Sequence, residues 1–188
     1  MRARMPNQIE TERLRLRALR GGDAARMARF LNDPGVGCML AMTPLPYLEN
    51  AAEGWIMTLA ARAPLGEEHV YAVELPGEGL IGCIGAHARG ERGFEVGYWF
   101  GRPYWGRGYA SEALAAFVAH ARALGPLRAG HFVDNPASGR VLEKAGFAYT
   151  GEVAPLFSMA RGHAAPCRKM AYAAADAARD AQAMALAS

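Results

Sequence analysis

No apolar run in this 188-residue chain approaches the roughly 20 residues that a helix needs to cross a bilayer, so a membrane-spanning protein is not expected. Cysteine is scarce too. Cys38, Cys83 and Cys167 are odd in number and far apart. They offer neither a disulfide framework nor a metal-ligand pair, and they read as small buried thiols in a reducing compartment. No metal site is expected. The basic opening, Met1 to Met5, is followed by Asn7, Gln8 and Glu10 where an export signal would carry an apolar stretch. The expected location is therefore the cytoplasm. A concentrated charge of one sign is also missing. The net charge is +3, and the arginines are scattered, which disfavours nucleic acid as a partner. There is no internal repeat and no interdomain linker. What remains, 52% hydrophobic and 21% charged residues, is ordinary for one folded domain with a real core.

Periodicity gives the order of elements. Thr11 to Leu19 alternates, with Leu14 and Leu16 on one side and Arg13, Arg15 and Arg17 on the other, as a half-buried strand does. Asp23 is placed to cap a helix from Ala24 to Leu31, which ends at Asn32-Asp33-Pro34-Gly35. A second helix is expected from about Tyr47 to Arg62. Three strands follow as an antiparallel meander, His69 to Leu75, Leu80 to Ala88 and Phe94 to Phe100, with turn composition between them. Ser111 to Leu124 reads as an amphipathic helix, Leu127 to Val133 as a strand and Ala137 to Ala145 as a helix stopped by Gly146. Phe147 to Thr150 and Arg168 to Tyr172 close the pattern, with Pro155 to Pro166 as a loop. The expected fold class is α/β: a mixed sheet of about seven strands with helices on both faces. Residues 1–172 are read as one domain and residues 173–188 as an Ala-rich tail.

Chemistry concentrates first at Trp105-Gly-Arg-Gly-Tyr-Ala-Ser-Glu112, where a strand leads through glycines into a helix start. First-turn amides lack internal partners, and the helix dipole favours an anion there. Gly106, Gly108 and Ala110 lack bulk, so a phosphate can approach the amides of Arg107, Gly108, Tyr109, Ala110 and Ser111, with Arg107 adding charge. The alternative is a plain glycine turn. The chain carries no Gly-x-x-x-x-Gly-Lys-Ser/Thr run, and no dinucleotide fingerprint on a first strand.

Three segments in order carry a resemblance to a known family: Thr11-Glu-Arg-Leu-Arg-Leu-Arg17, Phe94 to Ala116, and Asp134-Asn-Pro-Ala-Ser138 through Glu143-Lys-Ala-Gly-Phe147. They resemble the GNAT N-acetyltransferase superfamily, above all its branch of ribosomal-protein N-terminal acetyltransferases. Gly108 and Ala110 match the superfamily turn, while Trp105 stands where Gln or Arg is usual. The resemblance implies an acetyl-CoA-dependent N-acyltransferase acting on a protein N-terminus or a small-molecule amine. It further implies pantetheine pairing along the backbone of Tyr98 and Phe100, a pantetheine contact from Asn135, and Ser138 near the CoA sulfur. Superfamily members often form homodimers. An alternative function is a CoA-binding regulatory module without turnover.

Acyl transfer needs a neutral amine, donors to the carbonyl oxygen and a proton or hydrogen bond for the departing thiolate. Ser138 fits the last role. Glu95 faces away from Phe94 and Val96, and is either the general base or a solvated strand charge; His87 is a second candidate. Asn135 and Ser138 also read as a helix cap and a first-turn hydroxyl. Arg140 and Lys144 are candidates for the nucleotide end of CoA. Glu112 is expected to complement its helix dipole, and His69 and His131 to pack in strands.

Overall fold

The structure is a computed structural model that describes residues 5–173. All but the first residue of the expected 173–188 tail lies outside the described residues. In chain order the elements are β1 (Gln8–Glu10), β2 (Arg15–Arg17), α1 (Ala24–Leu31), α2 (Pro34–Gly37), α3 (Glu49–Arg62), β3 (Glu68–Leu75), β4 (Gly79–Ala88) and β5 (Phe94–Phe100). Then come α4 (Tyr109–Ala121), β6 (Leu127–Phe132), α5 (Pro136–Lys144), β7 (Phe147–Ser158) and β8 (His163–Tyr172). Among the described residues the strands form one eight-stranded mixed sheet in the order β1-β2-β3-β4-β5-β6-β8-β7. Helices cover both faces. Phe117 of α4 is fully buried with its ring 5.9 Å from Tyr71 of β3, a burial that contributes about 1.5–3 kcal/mol. Leu14, Leu16, Met27, Val73 and Ile81 complete the centre of the core. α1 packs against α3 and β4.

The expected meander is present as β3, β4 and β5, in antiparallel register. Of the stretch Thr11 to Leu19 only Arg15–Arg17 is strand, because Thr11 turns the chain by donating its amide to the Leu14 carbonyl at 2.9 Å and so lets β2 pair back on Gln8–Glu10. Arg17 is not on a solvated face. It is buried in a cluster with Asp23, at 2.8 and 2.9 Å, and with Glu74. Asp23 is therefore spent on Arg17 and the Arg20 amide, and makes no side-chain cap for α1. Burial pushes the Asp23 carboxyl up, but the Arg17 guanidinium and the Arg20 amide outweigh it and hold it below the usual carboxylate range.

The expected Pro155–Pro166 loop is the outer half of the β7–β8 hairpin, with Pro155 directly opposite Pro166. Prolines are tolerated there because β7 is an edge strand and β6 pairs with β8 only as far as Cys167. The second helix starts at Glu49, two residues later than expected. Asn32 holds Tyr47 outside it, accepting its amide at 2.8 Å and donating to its carbonyl at 2.7 Å.

Candidate active site

β5 and β6 part soon after they meet. They are paired in parallel only at Phe94↔Leu127 and Glu95↔Arg128, and beyond that point a gap opens between them. In an antiparallel pair alternate residues turn their amides to opposite neighbours. The Gly101 amide bonds to Ile81 on the β4 side, while the Phe94 amide bonds to Pro126 on the β6 side. Tyr98 and Phe100 therefore point N–H and C=O into the gap, as a strand edge open to an amide-bearing ligand. One of these groups is already engaged. The Trp105 indole donates to the Phe100 carbonyl at 2.7 Å. Trp105 thus has a structural task at the position where the family usually carries Gln or Arg.

The two lips of the gap carry the two sequence motifs. On the β5 side, Gly106 and Gly108 adopt left-handed φ values of +72 and +82, and α4 starts at Tyr109 without a side-chain cap. The first-turn amides are thus left free for an anion. Arg107 lies exposed, its guanidinium 5.2 Å from the Tyr109 ring, and Tyr109 itself is buried. Ala110 and Ser111 are half-buried in the same turn.

A residue the sequence reading left without a role completes this lip. Arg13 stacks on the Tyr109 ring at 4.7 Å and donates to the Arg107 carbonyl at 3.0 Å. Glu112 grips it through Nε at 2.7 Å and Nη2 at 2.6 Å, and also accepts from the Thr11 hydroxyl and the Arg13 amide. Burial pushes the Glu112 carboxyl up, but Thr11 and Arg13 outweigh it and hold it down. Glu112 therefore does more than complement a dipole: it ties the β1–β2 turn to the glycine turn. Arg13 thus braces the glycine turn at the start of α4. Arg13→Ala is expected to raise KM for acetyl-CoA about three- to tenfold with kcat nearly unchanged, the range for one half-exposed charge-assisted bond. Steady-state kinetics at varied acetyl-CoA check this, and an equal fall in kcat would contradict it.

On the β6 side, Pro136 starts α5, and the Asn135 side-chain oxygen caps it by accepting the Ser138 amide at 3.2 Å. This leaves the Asn135 side-chain NH2 available as a donor. Ser138 is brought to Tyr98 across the gap. The two hydroxyls are 2.9 Å apart, and the tyrosine also lies 3.1 Å from the Ser138 carbonyl. Burial pushes the Tyr98 phenol up to about 12, against the opposing pull of Ser138. Tyr98 is thus a neutral donor at ordinary pH. Lys144 is exposed in the last turn of α5, about 9 Å along the helix axis from Ser138. Arg140 is exposed on the same helix.

The opposite face of β5 carries a different row. Glu68, His87 and Glu95 are cross-strand neighbours on β3, β4 and β5. His87 Nδ1 contacts the Glu68 carboxylate, and Glu95 accepts from Arg89 at 2.7 Å. Gly97, next along that face, is exposed, with no atom within 4 Å of where a β-carbon would sit. The structure does not bring Glu95 to Ser138's side of the strand. His131 is buried, bonded to the Tyr149 hydroxyl at 3.0 Å, and His69 packs beside Phe94, both as expected for strand residues. Among the described residues there is no cluster of metal-binding side chains, and no helix is long and apolar enough to cross a membrane.

Comparison with known proteins bears on this geometry. The family model of the acetyltransferase (GNAT) domain matches residues 13–148. The uncharacterized N-acetyltransferase YoaA of Bacillus subtilis (strain 168) is 36% identical over 150 residues, which cover 76% of this chain and 84% of that protein. A GNAT-family acetyltransferase of Bacillus anthracis has a similar structure, with TM-score 0.70 and 25% identity over 87% of this chain and 96% of that one. Mycobacterium smegmatis RimJ, solved in complex with CoA-disulfide, shares the fold at TM-score 0.76 and 23% identity, over 91% of this chain and 90% of that one. The domain match spans both lips of the gap, and the sequence likeness to an N-acetyltransferase extends over most of both chains. This chain belongs to the GNAT acetyltransferase family and is an acetyl-CoA-dependent acetyltransferase.

Proposed function

We propose that residues 1–172 act as a single domain that transfers the acetyl group of acetyl-CoA to a primary amine, by direct attack and without a covalent enzyme intermediate. The amine is a protein N-terminal α-amine or that of a small molecule. The observation that carries this reading is the Ser138 hydroxyl, held 2.9 Å from Tyr98 across the β5–β6 gap. It lies between an open strand edge on one side and a capped helix start on the other. Acetyl-CoA supplies an activated thioester carbonyl. The backbone of Tyr98 and Phe100 receives the pantetheine amides, with the Phe100 amide free where its carbonyl is shared with Trp105. The Asn135 side-chain NH2 adds a donor to the same arm. The amides of Arg107, Gly108, Tyr109, Ala110 and Ser111 receive the pyrophosphate, and Lys144 the nucleotide end.

In the transfer step the amine nitrogen bonds to the carbonyl carbon and the carbon–sulfur bond breaks. Ser138 Oγ–H donates its proton to the departing sulfur and regains one from water, to which Glu95 later releases the proton it takes. Glu95 takes the proton from the attacking nitrogen, directly or through water, after Arg89 yields its contact. A strand amide facing the gap at Tyr98 or Phe100 polarises the carbonyl oxygen. A thiol-release assay with acetyl-CoA and a panel of amines and N-terminal peptides tests the function; release that no amine stimulates would defeat it. Within that assay, Glu95→Gln is expected to lower kcat about ten- to a hundredfold, at or below the usual size of a general-base contribution. His87→Gln should stay within about threefold by the same standard. The reverse ranking would assign the base to the Glu68–His87 pair.

A further inference from the structure

Arg161 joins three segments that are far apart in the chain. It stands in the turn between β7 and β8, and its side chain is only 13% exposed. Its Nε donates to the Cys38 carbonyl at 2.6 Å, and its two terminal nitrogens grip Asp134 at 2.8 and 3.0 Å. One of them also lies 3.4 Å from the Met39 sulfur, and the guanidinium sits 4.5 Å from the Phe132 ring. Two neighbours reinforce the junction. The Met159 amide bonds to the Ala41 carbonyl at 2.9 Å, and the fully buried Ser158 hydroxyl bonds to the Leu40 carbonyl at 2.8 Å.

Residues 38–41 belong to no helix or strand, so these bonds are what fix that strap against the hairpin tip. Asp134 directly precedes Asn135, the cap of the helix that carries Ser138. The same ion pair borders a hollow of about 350 Å³ lined by Val133, Asp134, Arg161, His163, Ala164 and Pro166. A planar fork with five donors can hold the carboxylate and the Cys38 carbonyl at once; a lysine ammonium has no such geometry.

We propose that Arg161 is the positioning residue that sets acceptor selectivity. It locks the 38–41 strap, the hairpin tip and the Asp134–Ser138 turn into one wall. Its own bulk limits the hollow that receives the side arm of the amine acceptor. The inference rests on the acetyl-transfer reading and adds to it that these segments, joined through Asp134 to the helix that carries Ser138, form the acceptor wall.

The test uses the full chain and its Arg161→Ala, Arg161→Lys and Asp134→Asn variants. Kinetics are measured with acetyl-CoA and a graded series of primary amines from small to bulky. Hydrogen exchange of residues 38–41 is followed without substrate. Arg161→Ala is expected to raise KM for small amines about tenfold, the scale of one lost charge-assisted contact. It should shift the bulky-to-small ratio of kcat/KM upward by about fivefold or more, and leave KM for acetyl-CoA within about twofold. Arg161→Lys and Asp134→Asn should fall between, and exchange at 38–41 should quicken in all three. An unchanged selectivity ratio overturns the proposal, as does a rise in KM for acetyl-CoA that matches the rise for the amines. If the native chain acetylates no amine, the function fails by itself. The exchange result then decides the lock, because unaltered exchange at 38–41 would refute it without any turnover.

Discussion

Replacing Gly108 with valine is expected to weaken CoA binding at least a hundredfold while the sheet remains folded, a loss of about 2.7 kcal/mol or more. Two effects add. Gly108 sits at φ +82, a left-handed conformation that a β-branched residue adopts only under strain of about 1–3 kcal/mol. The turn would therefore rearrange, and the first-turn amides of α4 would lose their common direction. In the present backbone, a β-carbon at this position would lie 3.3 Å from Arg13 Nη2, so the strut that fixes the Arg107 carbonyl is crowded as well. Neither effect reaches the core, because Gly108 is exposed and its neighbour Tyr109 is anchored separately by burial. Calorimetric titration with CoA measures the loss, and a thermal melt shows whether the fold survives. A melt that shifts by a few degrees with CoA affinity intact would mean that the pyrophosphate binds elsewhere.

Much of this site was legible before the structure because its signals are local. The Phe94–Phe100 strand has the bounds its alternation gave, and the glycines after it mark the left-handed positions that start α4. The sequence around Asn135 fits both a helix cap and a CoA donor, and its two side-chain atoms leave room for both: the oxygen caps, and the NH2 is available. What was not legible depends on partners far along the chain. Arg13 meets Glu112 across 99 residues, Arg17 meets Glu74 across 57, and Arg161 meets Cys38 across 123. In the sequence Arg13 and Arg17 sit on what looks like a polar strand face and Arg161 in what looks like a loop. Only the packed sheet distinguishes a buried or braced guanidinium from a solvated one. The hairpin of β7 and β8 was hidden for the opposite reason. Its prolines argue locally for a loop, and only the edge position of β7 makes them tolerable in a strand.

The second large effect is expected from Ser138→Ala, which should lower kcat about ten- to a thousandfold with CoA affinity within about twofold, the range for losing an acid in the transition state. The substitution isolates the hydroxyl. The bond that caps α5 runs from the Ser138 backbone amide to Asn135 and survives the change, so the helix and its Asn135 donor stay in place. What disappears is the group that Tyr98 orients from across the gap. Tyr98→Phe separates orientation from proton donation. If Ser138 is the acid, losing the phenol leaves the serine in place but less well aimed, and kcat should fall about three- to tenfold, the net worth of one ordinary hydrogen bond. If the tyrosine itself were the acid, the ranking would invert, and Tyr98→Phe would cost more than Ser138→Ala. Burial raises the phenol to about 12, so it stays protonated throughout the usual assay range. The pH profile of kcat should accordingly show no basic limb that Tyr98→Phe removes. Such a limb, abolished by that variant alone, would transfer the acid from Ser138 to Tyr98.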